Sequence, residues 1–343
     1  MTNNMNRRCK SMKESLLQRC EAQIRNEEGM RKAGNLENEI VQKFCAMLHV
    51  NAGREVDVER LKECHGILKG KTGILSNFRG NMQRIIVVKM SLSDDPAKYI
   101  DDVIAVYDQL REGIKVPGEM VVMAATAIVE NCPADQWDEV VKNTKETYSK
   151  LKELHPLLIN ENDLSLISLM IMAGKDPDRA AEEAEEIFQK MKNGYKIGSD
   201  PAHSMAMVLS LSDKPVDKKL EDLFALFEAL KAAKHETAKD KSMVIYAAFA
   251  DADYDLNETV AAIGEVDDWL KGKKGYGLLS IGTSEKRMFA TMIVLEDMQK
   301  NNMNAVTGSV SSAVIQTIIE ELMLVLLMII ITNMITSSMI SSM

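Results

Sequence analysis

Two glycine-rich stretches place cations where they could hold an anion or an acidic partner. Lys71, Ser76, Asn77, Phe78, Arg79 and Gly80 lie in the first. Lys273, Lys274, Gly275 and Gly277 lie in the second, with Arg287 shortly after it. Glycine lets successive backbone amides converge, and a helix start adds the positive end of its dipole, so a phosphate or carboxylate is the natural guest. Neither stretch has the spacing of a P-loop or a dinucleotide fingerprint, and no parallel strand leads into either. The competing reading is that the glycines make tight connections and the cations stay solvated. These residues are therefore carried as a binding expectation, with no catalytic role.

A second constellation is Cys45 and His49, four residues apart, followed by Cys64 and His65. On a helical hairpin these could converge as zinc-type ligands. Adjacent residues such as Cys64 and His65 point about 100° apart around a helix, which makes a shared metal a poor fit. A core cysteine and a half-buried histidine explain the same facts, so no metal and no cofactor is expected. His155, His203 and His235 stand without an evident nucleophile or acid beside them. The carboxylate run Glu182, Glu183, Glu185 and Glu186 reads as a solvated helix face.

The elements that must position these residues are helices in a repeat. An aromatic or similar residue, then Leu or Met, then a base recurs as Tyr107–Leu110–Arg111, Tyr148–Leu151–Lys152, Phe188–Met191–Lys192 and Phe227–Leu230–Lys231. Looser copies end at Leu68 and Leu270. The anchors 68, 110, 151, 191, 230 and 270 are separated by 42, 41, 40, 39 and 40 residues. Each anchor closes an amphipathic helix, such as Ile100, Val103, Ile104, Tyr107 and Leu110, whose spacing makes one apolar stripe. Turns rich in Asp, Ser and Pro precede these helices (Asp95-Pro96, Asp176-Pro177, Asp213-Lys214-Pro215) and supply caps. Before each turn comes a helix of another kind, apolar on nearly every face: residues 121–129, 164–173 and 243–250. Such a helix must be covered on all sides. The expected fold is all-α: six helical-hairpin repeats of about 40 residues forming a curved solenoid or a closed α/α toroid.

The expected organisation is an N-terminal helical cap over residues 1–38 and a repeat domain over 39–300. A polar linker over 301–313 and an apolar C-terminal segment over 314–343 follow. Ser284 is the expected cap of the last repeat-domain helix. The C-terminal segment carries ten uninterrupted apolar residues, 322–331, and no charge after Glu321. As a helix those ten residues reach about 15 Å, against roughly 30 Å of bilayer interior. Docking on the apolar helices or pairing between subunits is expected ahead of spanning.

A net charge of −9 argues against nucleic acid as the main partner. The five cysteines include no CxxC pair and the N-terminal stretch has no apolar core after its arginines, so a reducing cytoplasm is expected, with peripheral membrane association only through residues 314–343.

The Ser76-Asn77-Phe78-Arg79-Gly80 segment, the apolar helix after it ending in Ser91-Leu92-Ser93, the Gly275-Tyr276-Gly277 loop and the apolar Ser-rich tail together resemble a family of uncharacterised bacterial proteins. That family is a domain of unknown function common in Firmicutes, of about 330 residues, and the resemblance covers nearly the whole chain. It implies a Gram-positive source and a helical fold, and it brings no catalytic residues. The tail here is richer in Met and Ile than the family's Ala-rich ends.

The functional expectation is a non-catalytic interaction scaffold that binds a protein partner or itself, possessing no catalytic residues and self-associating through the apolar tail. The alternatives are a toroid, enzyme or binder, holding an apolar ligand, and membrane association through the C-terminal segment.

Overall fold

The computed structural model describes residues 12–34, 39–73, 76–114, 118–195, 197–236, 241–249, 254–277 and 280–302. Among them every regular element is helical, and helices of two kinds alternate along the chain.

One kind keeps a single buried stripe: α1 (Glu14–Lys32), α3 (Val58–Lys71), α5 (Pro96–Arg111), α7 (Trp137–Leu154), α9 (Pro177–Lys190), α11 (Val216–Ala233) and α12 (Leu256–Lys271). In α5 the buried set is Pro96, Ile100, Val103, Val106, Tyr107 and Leu110, which follows the helical period. Asp57, Asp95, Asp176 and Asp255 cap α3, α5, α9 and α12, each accepting from first-turn amides, and proline opens α5 and α9. The anchors Leu68, Leu110, Leu151, Met191, Leu230 and Leu270 are all buried.

The other kind is buried almost all round: α2 (Glu39–Asn51), α4 (Gly80–Leu92), α6 (Glu119–Asn131), α8 (Leu164–Met172), α10 (Ser199–Leu209), a 3₁₀ segment (Lys241–Phe249) and α13 (Thr283–Asn302). Met120 to Ile128 of α6 and Leu164 to Ile171 of α8 are buried without a break. These helices pack side by side, α2 on α4, α6 on α8, α8 on α10, α10 on the 3₁₀ segment and that segment on α13. The amphipathic helices also meet in chain order, from α1 on α3 to α11 on α12. Most of them pack most extensively on the apolar helix that follows, as α5 does on α6 and α7 on α8, whereas α11 packs most on α12. The tightest hairpins are thus mostly amphipathic-then-apolar, one half-step from the grouping the sequence suggests.

The chain's two described ends are neighbours. Helix α13 packs on α1, Ser15 Oγ donates to Asp297 at 3.3 Å, and Lys13 pairs with Glu258 of α12.

Three local expectations change. Residues 241–249 form a 3₁₀ helix, not an α-helix. Nine residues reach about 18 Å at 3₁₀ rise, against about 13–14 Å in an α-helix, so a short segment rich in β-branched and aromatic residues still crosses the layer. Ser284 is not the cap of α13: the helix begins at Thr283, and the Lys286 amide donates to Gly282 O. The helix also continues to Asn302, into the stretch read as linker. Residues 1–11 and the whole apolar segment 314–343 lie outside the described residues. No described helix is long and apolar enough to cross a membrane.

Candidate functional site

The two glycine-rich connections sit in different surroundings. In the first, Lys71 pairs with Asp101 at 2.5 Å. Arg79 donates to Thr72 O and Gly73 O, and Ser76 Oγ to Gly73 O, so the loop's cation and hydroxyl satisfy the loop's own carbonyls. Asn77 donates to the Tyr107 hydroxyl and Phe78 packs edge-on against the same ring, which fixes the connection to α5. Gly80 has a φ of 63°, where a side chain is strained, and Glu119 crowds the place a Cβ would take. Burial pushes the Glu119 carboxyl up to about 6.

In the second connection Lys273 lies over the Trp269 ring at 3.8 Å. Gly275 has a φ of 86° and approaches Lys43, and Gly277 has open space around it. Arg287 donates to Lys234 O and Glu236 O and pairs with Asp267. Lys274 has its place in the same turn. Lys71, Arg79 and Arg287 are thus engaged with protein oxygens and Lys273 with a ring, an arrangement suited to holding connections in place.

A buried polar cluster that the sequence did not single out joins the second connection to α1 and α2. Glu27 is fully buried; its carboxylate accepts from Lys43 Nζ at 2.9 Å, the Tyr276 hydroxyl at 2.6 Å and Gln23 Nε2 at 3.1 Å. Lys43 also lies 3.9 Å from the Tyr276 ring centroid. Burial first, and the neighbouring Glu27 charge second, drive the Tyr276 phenol well above its ordinary range, so it stays a donor. Beside this cluster Arg19 donates to Asn51 at 2.7 Å and Asn51 to Glu296 at 2.9 Å. The only sequence signal was a tyrosine held between two glycines; its partner lies 249 positions away.

The other missed group is an open pocket of about 480 Å³ where the C-terminal ends of α2 and α4 meet the connection leading into α3. It is lined by His49, Arg54, Glu55, Asp57, Arg60, Ser91, Leu92, Ser93 and Asp94. Arg54 donates to Leu92 O at 3.1 Å, and Arg60 reaches toward Ser93 O at 3.5 Å while pairing with Glu63. Cations at helix C-termini meet the last carbonyls and the negative dipole end together. Ser91 and Ser93 spend their hydroxyl protons on Val88 O and Met90 O, leaving oxygen lone pairs. His49 is only 3% exposed, and neither ring nitrogen has a hydrogen-bond partner. Burial, reinforced by the Arg54 charge, holds its pKa down to about 4, so the ring is neutral near pH 7. In the sequence His49 stands out only by its spacing from Cys45. Cys45 and Cys64 are buried, burial raises both thiols, and no metal-holding cluster of three or more such side chains occurs among the described residues.

With this geometry in view, the comparison with known families is specific. Residues 28–333 match the family of proteins of unknown function DUF4003. The chain belongs to that family. The match runs from the C-terminal end of α1 to residue 333 in the apolar C-terminal segment and includes residues 76–80 and 275–277, which carried the resemblance. Neither a curated protein nor a solved structure matches the chain.

Proposed function

We propose that this DUF4003 protein is a non-catalytic scaffold: a closed α/α ring of helical hairpins that self-associates through its apolar C-terminal segment. The observation that supports closure is the contact of α13 with the start of the chain, where Ser15 of α1 meets Asp297 across 282 residues of sequence and Asn51 of α2 meets Glu296 across 245. A ring gives apolar helices neighbours on both sides, which an open solenoid denies its end repeats. Large apolar side chains exposed among the described residues are few (Leu154, Leu157 and Tyr195), so the apolar tail is the segment with enough surface to drive association.

Closure is tested by the double variant Ser15→Cys, Asp297→Cys. A ring forms that disulfide on mild oxidation without loss of helicity, and an open solenoid leaves both thiols titratable. Association is tested by comparing full-length protein with a form ending at residue 313 by light scattering. The expected result is an oligomer that becomes a monomer on truncation; identical masses overturn the tail's role. Native mass spectrometry of the same samples addresses the apolar-ligand alternative, since a co-purifying lipid would replace the scaffold reading. Fractionation of cells expressing both forms addresses the membrane alternative in the same way.

A further inference from the structure

We infer that the edge of the molecule where the amphipathic helices end docks on an anionic lipid surface. Leu154, Leu157 and Tyr195 enter the bilayer interface there, and the cations at the helix ends meet its headgroups. The inference rests on described residues alone, so it stands apart from ring closure and from any role of the C-terminal segment.

The amphipathic helices run parallel. Lys150 of α7 pairs with Asp178 of α9, and His155, just past α7, pairs with Glu185; Lys190 of α9 pairs with Asp217 of α11, and Tyr195 stacks on Phe224. Their C-terminal ends therefore share one edge. The large apolar side chains exposed among the described residues all lie there: Leu154 and Leu157 at the end of α7, 52% and 103% exposed, and Tyr195 past the end of α9. Leu157 sits on a built turn. The Leu158 and Ile159 amides donate to His155 O, Lys152 donates to Ile159 O, and His155 is fixed by Glu185 at 2.5 Å and by the Phe188 ring. Tyr195 ends a π-helical turn, Met191–Tyr195, with its ring flat on Phe224 at 3.5 Å. Holding a leucine rigidly in water gains nothing for the chain alone.

The charges say what meets it. A base directly follows each buried anchor on this edge: Lys69, Arg111, Lys152, Lys192, Lys231 and Lys271. Glu112 and Glu153 offset two of them, while Lys234 and Lys274, both exposed, add to the row. The opposite edge carries the Asp57, Asp95, Asp176 and Asp255 caps and no exposed large apolar side chain among the described residues. Helix dipoles account for both rows of charge. They do not account for leucine and tyrosine tips on the basic edge alone. Three side chains bury far less than the roughly 800 Å² a side of a stable protein interface. Peripheral lipid contact needs only a few apolar groups with cations around them, and tyrosine suits it because its ring is apolar and its hydroxyl stays wet.

The test uses full-length protein with vesicles of phosphatidylcholine or of an equimolar mixture of phosphatidylcholine and phosphatidylglycerol. A polarity-sensitive dye on Leu157→Cys reports insertion, the same dye on Glu139→Cys at the opposite edge is the control, and unsubstituted protein treated alike gives the background. The expected result is sedimentation with the mixed vesicles only, with a blue shift of the dye at 157 and none at 139. Leu157→Ser weakens partitioning about tenfold, with an unchanged melting temperature because the side chain sits in water. Lys231→Gln with Lys271→Gln weakens it about tenfold or more. Because the 314–343 segment can itself carry the protein to lipid, sedimentation with a silent dye at 157 overturns the inference. So does equal binding to the two vesicles, binding indifferent to Leu157→Ser, or no binding to either. A blue shift that grows with protein concentration without vesicles places a second copy on this edge and overturns it as well.

Discussion

Helices α6 and α8 meet through Met, Ala, Ile and Leu side chains, all buried. Helix α1 meets α2 and the 275–277 turn through Glu27, Lys43, Gln23 and Tyr276, which are just as buried. The two regions solve the same packing problem with opposite chemistry. Apolar packing is tolerant of sliding, since one methyl group serves about as well as another. A buried carboxylate with four donors, Lys43, Tyr276, Gln23 and Arg31, is satisfied in one geometry only. Buried ionic clusters are weak sources of net stability, because desolvation offsets most of the attraction. What such a cluster supplies here is register, at the place where sequence-distant parts of the chain must find each other.

The largest expected effect breaks the polar side of that comparison. Lys43→Met leaves the buried Glu27 carboxylate with only the longer Arg31 contact at 3.4 Å as a cation and costs about 3 kcal/mol in urea unfolding. Replacing the group together (Glu27→Leu, Lys43→Met, Tyr276→Phe) is expected to recover most of that loss, and a triple variant as unstable as the single one would refute the register role. On the apolar side, Ile167→Ala in α8 costs about 3 kcal/mol from lost burial and the cavity left behind. No partner substitution of opposite charge can rescue it, which is the contrast to be measured.

The comparison extends to protonation. His49 has a folded pKa depressed from 6.5 to about 4. The unfolded chain then binds the proton more readily, so stability is present above pH 6.5 and is lost as pH falls toward 4. The loss amounts to roughly 3 kcal/mol across that window, and His49→Gln flattens it in pH-dependent unfolding. Glu119 behaves in the reverse sense: its folded pKa is raised from 4.5 to about 6, so its contribution falls as pH rises across that window. Glu119→Gln is expected to stabilise the protein at pH 7 by roughly 1 kcal/mol and to have no effect near pH 4. The smallest effect sharpens the local end of the comparison. Asp95→Ala removes the cap that holds the Ala97 and Lys98 amides and costs about 1 kcal/mol.

Much of the architecture is legible in the sequence. The anchors Leu68 through Leu270, the apolar stripe of α5 and the Asp-Pro caps follow from spacing within one helix, where neighbours in sequence are neighbours in space. The candidate site was far less legible. Lys71, Arg79 and Arg287 were readable as cations, but their engagement with Asp101, loop carbonyls and Asp267 was not. His49, Arg54, Arg60 and Asp94 form no motif, being contributed by the end of α2, the connection after it, the first turn of α3 and the connection after α4.

The sequence by itself determined that the chain is helical, that two kinds of helix alternate and that the apolar kind must be covered, because these depend on the helical period and on hydrophobicity alone. Only the tertiary structure decided that α1 meets α13, that Glu27 finds Tyr276, and that His49 faces an open pocket. Those contacts join residues from about 40 to about 280 positions apart, and no local periodicity encodes which distant surfaces touch; packing, burial and the need to satisfy buried polar groups select them together.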